Sequence, residues 1–143
     1  MLNIQNALKH WDIAQTFSTC SDQGLINQTW LIGTPPQGVL QWVNPIFDPN
    51  IHYDIEHITQ HLANKNIATP RLKKTNSGAL FLKDPEQGSW RVWSYLPGKT
   101  HHRVHSAQIA YSAGKCVGTF HRAIADLQYE FKACLRDAHN TPL

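Results

Sequence analysis

Cysteine is scarce in this chain: Cys20, Cys116 and Cys134 are its full complement. The total is odd and no C-x-x-C spacing occurs, which argues against a disulfide framework and for a reducing compartment, the cytoplasm being the expectation. No apolar stretch follows Met1 in the manner of a secretory leader, and no window reaches the length of a membrane span. Charge is also sparse, with 16% of residues being Asp, Glu, Lys or Arg and a formal net charge of +3 from scattered side chains. Nothing there has the density of a nucleic-acid or anionic-membrane track, so neither partner is expected, and Arg71, Lys73 and Lys74 read as a solvated loop. Repeats and low-complexity segments are absent. What is present, 41% hydrophobic residues in a chain of 143, is ordinary globular composition for one domain that buries about two-thirds of its unfolded surface.

The most informative stretch is residues 24–44. Two short runs rich in β-branched and aromatic residues flank Gly33, Pro35, Pro36 and Gly38, which cannot continue a strand but can turn one. A hairpin is the reading. Because strand side chains alternate, Asn27, Thr29 and Leu31 share one face of the first strand, and Val39, Gln41 and Val43 share one face of the second. If these are the same side of the sheet, Asn27, Thr29 and Gln41 form a polar cluster among aliphatic neighbours. A solvated sheet face is the competing reading.

Around the hairpin the chain alternates short strands and helices. Residues 4–14 carry Ile4, Leu8, Trp11 and Ala14 at helical spacing, and residues 16–20 are a possible first strand. A breaker-rich loop, 44–50, precedes a helix on which Ile51, Ile55, Ile58 and Leu62 form a narrow stripe. On its wheel Asp54 lies roughly 70° from the stripe and Glu56 roughly 130°, so Asp54 flanks the buried edge and Glu56 points outward. His57 and His61 have the i, i+4 spacing of a metal pair, but no third ligand is near and no Glu follows the first His, so they read as surface histidines rather than a metal site. Strands follow at 80–82 and 90–96, the second strongly aromatic and stopped by Pro97-Gly98. A loop with His101, His102 and His105, a weaker candidate metal site, leads to the longest helix. There Ile109, Ala113, Cys116, Val117, Phe120, Ile124 and Leu127 make an apolar stripe, with Gly114 and Gly118 as a packing notch.

That order of elements is the order of the small lobe of a protein-kinase-like fold, and particular residues carry the resemblance further. Gly24-Leu25-Ile26-Asn27-Gln28-Thr29-Trp30, Leu40-Gln41-Trp42-Val43-Asn44, Phe47, Ile55, Ile58-Thr59, His61-Leu62 and Gly88-Ser89-Trp90-Arg91 resemble the aminoglycoside phosphotransferase-like family of small-molecule kinases. Phe120-His121-Arg122, Asp126-Leu127 and His139-Asn140-Thr141-Pro142 match its N-acetylhexosamine kinase-like branch in order and spacing. The resemblance implies an α+β fold: an antiparallel sheet of about five strands with a packed helix, forming a nucleotide-binding small lobe over 1–96. The hinge and first helical segment of a large lobe would occupy 97–143.

For the site, the resemblance implies that the turn at Gly24 covers the phosphates of ATP, with Asn27 and Thr29 adding donors. Val39 and Leu31 would roof the adenine, and the backbone of Ser94, Tyr95 and Leu96 would meet its edge. Most kinases carry Lys at the position of Gln41, paired to an acid on the next helix; here Gln41 offers amide donors without charge, and Asp54 is the expected acid. The branch follows its Gln with Arg, where this chain has Trp42. Mg²⁺ and the catalytic Asp belong to H-G-D-x-x-x-x-N and a later acidic segment, neither of which occurs in this sequence. The expectation is therefore an ATP-binding part of a sugar or amino-sugar kinase, truncated before its catalytic half and inactive alone. Its expected partners are a nucleotide, a sugar-like acceptor, and either a missing C-terminal lobe or a second copy meeting its exposed underside. The alternative is a complete, non-catalytic binding or interaction domain built on a kinase lobe.

Overall fold

In the computed structural model, which describes residues 3–14, 17–19, 26–85 and 88–134, the sheet grows outward from the hairpin. Strands β2 (Gln28–Ile32) and β3 (Gly38–Val43) pair antiparallel, with Thr29 opposite Gln41 and Leu31 opposite Val39. Gly33 takes φ 89°, a left-handed value that side chains disfavour, and the Gln37 N–H donates to the Ile32 carbonyl at 2.8 Å to close the turn. Strand β1 (Phe17–Thr19) borders β2. The other edge of β3 takes β6 (Ser89–Ser94), with Gln41 opposite Arg91 and Val39 opposite Trp93.

Two very short strands share the far edge of β6. β4 (Leu72–Lys73) pairs with its Val92 and Trp93 end, and β5 (Leu82–Lys83) with its Ser89 and Trp90 end. The sheet thus has five strands in one antiparallel row and β5 as a sixth beside it. The solvated-loop reading of residues 71–74 is corrected here: Leu72 is buried in β4, and Arg71 bonds Gln60 at 2.7 Å and pairs with Glu56 at 3.6 Å. Glu56 accordingly faces Arg71 and is half-buried rather than directed into solvent.

Alternation gives the sheet two unlike faces. Trp30, Ile32, Leu40, Trp90 and Val92 project to one side and form the core with Ala7, Leu8 and Trp11, which come from α1 (Ile4–Leu8) and the 3₁₀ turn Lys9–Trp11 that follows it. The helix expected over 4–14 stops at Trp11 because Asp12 turns left-handed at φ 52°. Buried indoles need partners for their N–H groups, and two find them: Trp11 donates to the Lys73 carbonyl and Trp90 to Asp84 Oδ2, both at 2.7 Å. Trp42 also packs against this core, and its ring leaves no room at Gly88, where an added Cβ would lie 2.5 Å from the indole Nε1. Gly88→Ala is therefore expected to cost about 2 kcal/mol in urea denaturation, the usual penalty of overpacking, whereas a full-stability variant would mean that Trp42 yields freely.

Helix α2 (Ile51–Asn64) lies over the opposite face of the sheet. Beyond β6 the chain leaves the sheet and forms α3 (Ala107–Ile124), capped by the Ser106 hydroxyl, which accepts from the Ile109 N–H at 3.3 Å. The apolar stripe of α3 reads as a packing face, yet Tyr111 is 67% and Val117 54% exposed, and of the helix only Ala123 is buried. Nothing lies within 4 Å of an added Cβ at Gly114 or Gly118, so the expected packing notch faces open space among the described residues. After α3 the chain returns to α2. His61 Nε2 meets the Ala123 carbonyl and Asp126, each at 3.0 Å, and Lys65 bonds the same two residues.

Candidate functional site

The face of the sheet that does not carry the core holds two members of the polar cluster expected from the alternation, Thr29 and Gln41, joined by Arg91 where Asn27 was expected. Thr29, Gln41 and Arg91 sit side by side on β2, β3 and β6. Gln41 Nε2 donates to Thr29 Oγ1 at 3.1 Å, while Gln41 Oε1 accepts from Arg91 Nε at 2.9 Å, from the Arg91 Nη2 at 2.6 Å and from Trp93 Nε1 at 3.4 Å. One amide oxygen thus gathers three N–H donors. The side chain of Gln41 is held at both ends, with no freedom left to choose its orientation.

Arg91 is the unusual member. Only 8% of it is exposed, its guanidinium lies 4.6 Å over the Trp93 ring, and among the described residues no carboxylate comes within ion-pairing distance. Its Nη1 is buried without any acceptor. Burial pushes its pKa down to about 10, which still leaves it protonated at neutral pH. The charge reaches His52, a buried ring stacked on Phe81 at 4.3 Å whose Nδ1 bonds the Pro49 carbonyl at 2.8 Å.

Gln41 and Arg91 of this cluster help to line a cavity of about 590 Å³ between the sheet and α2. Val39, Gln41, Arg91 and Trp93 form its ceiling; Ile55, Ile58 and Thr59 of α2, with Thr69 and Pro70, form its flank; Ser94, Tyr95 and Leu96 form its rim. The volume is that of a site for a molecule of cofactor size, and the lining has the usual character of one: mostly apolar, with a few convergent polar groups. Among the described residues no carboxylate lines it.

The expected site residues do not all meet at the cavity. Val39, Gln41, Ser94, Tyr95 and Leu96 come together on the cavity, and Thr29 and Leu31 stand next to it through Gln41 and Val39. Ser94 is also spoken for by β4: its N–H donates to the Arg71 carbonyl at 2.8 Å and its hydroxyl accepts the Arg71 N–H at 2.9 Å, so ladder-free rim backbone starts at Tyr95. Asn27 points elsewhere, its Oδ1 accepting the Asn44 N–H at 3.0 Å and so tying the ends of the hairpin. Gly24 lies outside the described residues. Trp42 is on the core face, so its replacement of Arg leaves the charge beside Gln41 unchanged.

Asp54 requires a correction. It is buried, but its carboxylate turns away from Gln41 toward the segment after α3, accepting from the Tyr129 hydroxyl and from the N–H groups of Lys132 and Ala133, all at 2.9 Å. Burial works to raise its pKa; those donors outweigh it and hold the carboxyl below the usual range. The α2 residues that do reach the cavity, Ile55, Ile58 and Thr59, include two read from sequence only as packing. The histidine candidates are also used otherwise. The His57 ring stacks on Tyr129 at 4.0 Å, and His101, His102 and His105 are exposed. Among the described residues no three His, Cys, Asp or Glu side chains cluster to hold a metal.

An antiparallel sheet with one helix across the face opposite its core, an exit from β6 through Pro97-Gly98 and a following helix constitute the N-terminal lobe of a protein-kinase-like fold. The solved structure of amicoumacin kinase hAmiN, in complex with AMP-PNP, Ca²⁺ and Ami, is similar to this chain with a TM-score of 0.67 at 16% identity. The match covers 90% of this chain and 42% of that one, so the chain spans less than half the length of its structural neighbour. No protein-family model and no curated protein sequence matches the chain. Among the described residues no helix is long and apolar enough to cross a membrane.

Proposed function

We propose that this chain is the ATP-binding lobe of a small-molecule kinase, a phosphotransferase whose acceptor is a hydroxyl of a sugar or amino sugar. The observation that carries the reading is the cavity: a mostly apolar slot lined by Val39, Tyr95 and Leu96, with Gln41 and Arg91 paired side by side in its wall. A nucleotide suits such a lining, having a flat apolar base and an anionic tail. The base would lie under Val39 and Leu31 against the rim backbone, and the phosphates would run toward Thr29 and Gln41. The division at residue 96, between nucleotide-binding lobe and hinge, belongs to the same reading, as does the sugar-like acceptor, which rests on the resemblance of the motif residues.

Phosphoryl transfer also needs a base for the hydroxyl proton and oxygen ligands for Mg²⁺. The described residues of the lining, among which no carboxylate occurs, are given neither job. Nucleotide binding is thus the property to test on the 143-residue chain. Isothermal titration with adenosine and ADP is expected to give binding, and Val39→Trp, which fills the slot under the roof without touching the core, is expected to weaken both by at least about tenfold. Thermal melting checks that the variant folds. Equal affinity in the folded variant would remove Val39 from the site.

A further inference from the structure

We infer that Arg91, on β6, is the cation that receives the nucleotide's phosphates, and that Gln41 is a positioning residue that holds its guanidinium in place. The inference rests on the nucleotide-binding reading above and says which charge serves it. A buried guanidinium is costly unless an anion or a full set of acceptors compensates it. Here the compensation is incomplete: Nε and Nη2 share a single neutral acceptor, Gln41 Oε1, and Nη1 has none. Among the described residues no carboxylate answers the charge. Such an arrangement leaves a protonated, oriented guanidinium in the wall of a mostly apolar cavity. An anion there would supply what the fold omits.

The neighbours support the same assignment. Gln41 is fixed by Thr29 on one side and by Arg91 and Trp93 on the other, so its oxygen is committed to the guanidinium and its amide to the threonine. It therefore aims Arg91 rather than offering a contact of its own. A glutamine in this place has a reason: a glutamate would form an ion pair with Arg91 and quench it, while glutamine orients it and leaves its charge uncancelled. The Trp93 ring beneath the guanidinium steadies it from the remaining side.

The test compares affinities for adenosine, ADP and inorganic tripolyphosphate by isothermal titration on the 143-residue chain and on Arg91→Gln, Arg91→Lys and Gln41→Glu, with thermal melting to confirm folding. The expected result is that the wild-type chain binds ADP more tightly than adenosine and that the ADP-to-adenosine ratio falls at least about tenfold in Arg91→Gln. Gln41→Glu, which keeps the arginine and adds only a counter-charge, is expected to lower the ratio in the same direction, and Arg91→Lys to restore part of it. A ratio unchanged in folded Arg91→Gln or Gln41→Glu overturns the inference. If adenosine and ADP both fail to bind the wild-type chain, the nucleotide reading has failed; tripolyphosphate binding lost in Arg91→Gln would then still support Arg91 as an anion site, and no tripolyphosphate binding would overturn it too.

Discussion

Replacing Asp54 by alanine is expected to release residues 126–134 from α2 and to cost about 4 kcal/mol, because a buried carboxylate serves three donors at once. Hydrogen bonds to a charged group contribute about 1.5 to 3 kcal/mol each, and bonds that share one acceptor do not add in full. The Lys132 and Ala133 N–H groups and the Tyr129 hydroxyl would all lose their acceptor together. Urea denaturation gives the total. Hydrogen exchange locates it: the amides of Lys132 and Ala133 should lose protection while those of β3 and β6 keep theirs relative to global unfolding. Asp54→Asn should recover little, since its NH₂ presents a donor where an acceptor is needed. Undiminished protection at both amides in Asp54→Ala would show that the segment is held by His61, Lys65 and Asp126 instead.

Acidification should unfold the domain in two separate windows, and His52 sets the first. Burial pushes its pKa from 6.5 to about 4; the Pro49 carbonyl offsets part of that, and the Arg91 charge adds to it. Between those two values the unfolded chain binds a proton at this position and the folded chain does not, so stability falls as pH drops from 6.5 and the loss levels off below about 4. The width of the window corresponds to roughly 3 kcal/mol. Asp54 sets the second, with the opposite charge logic. Its folded carboxyl is held below the usual carboxylate range, so its contribution is complete above that range and disappears only as the pH falls through the lower folded value. Denaturation of the chain and of His52→Phe at pH 7, 5.5 and 4 separates the windows. The phenyl ring keeps the stack on Phe81, and the stability difference between the two proteins should change by about 3 kcal/mol over this range. Parallel profiles would place the acid sensitivity at other groups.

The hairpin at residues 28–43 was readable because its signal is local: Gly and Pro mark the turn, and period-two alternation fixes which side chains share a face. That alternation also delivered the Thr29 and Gln41 contact, since register follows from the turn. Arg91 was harder. An arginine amid Trp90, Val92 and Trp93 reads as the polar side of a strand, and its meaning appears only when β6 is laid against β3 so that Arg91 stands opposite Gln41. β4 and β5 carry two residues each, too few for any period, and exist because the edge of β6 recruits them. The partner of Asp54 lies 75 to 79 residues along the chain, in a segment with no periodic signal, so the wheel could place Asp54 near the buried edge but could not say what it meets there. The stripe on α3 shows the reverse failure, since amphipathic spacing says that a face can pack, not that something covers it.

Helix α2 has almost no idle surface. Ile55, Ile58 and Thr59 look into the cavity; His52 lies on Phe81; Asp54, His57, His61 and Lys65 hold the returning chain; Glu56 and Gln60 reach Arg71. A surface helix normally keeps a solvent stripe on which substitutions are nearly neutral. Here even the exposed Tyr53 meets Phe81 edge-on and lies under the Lys132 ammonium, and Asn64 accepts from Gln60, so an exchange at most positions of α2 alters either the shape of the cavity or the hold on the segment behind it. Sequence drift has little room on this helix.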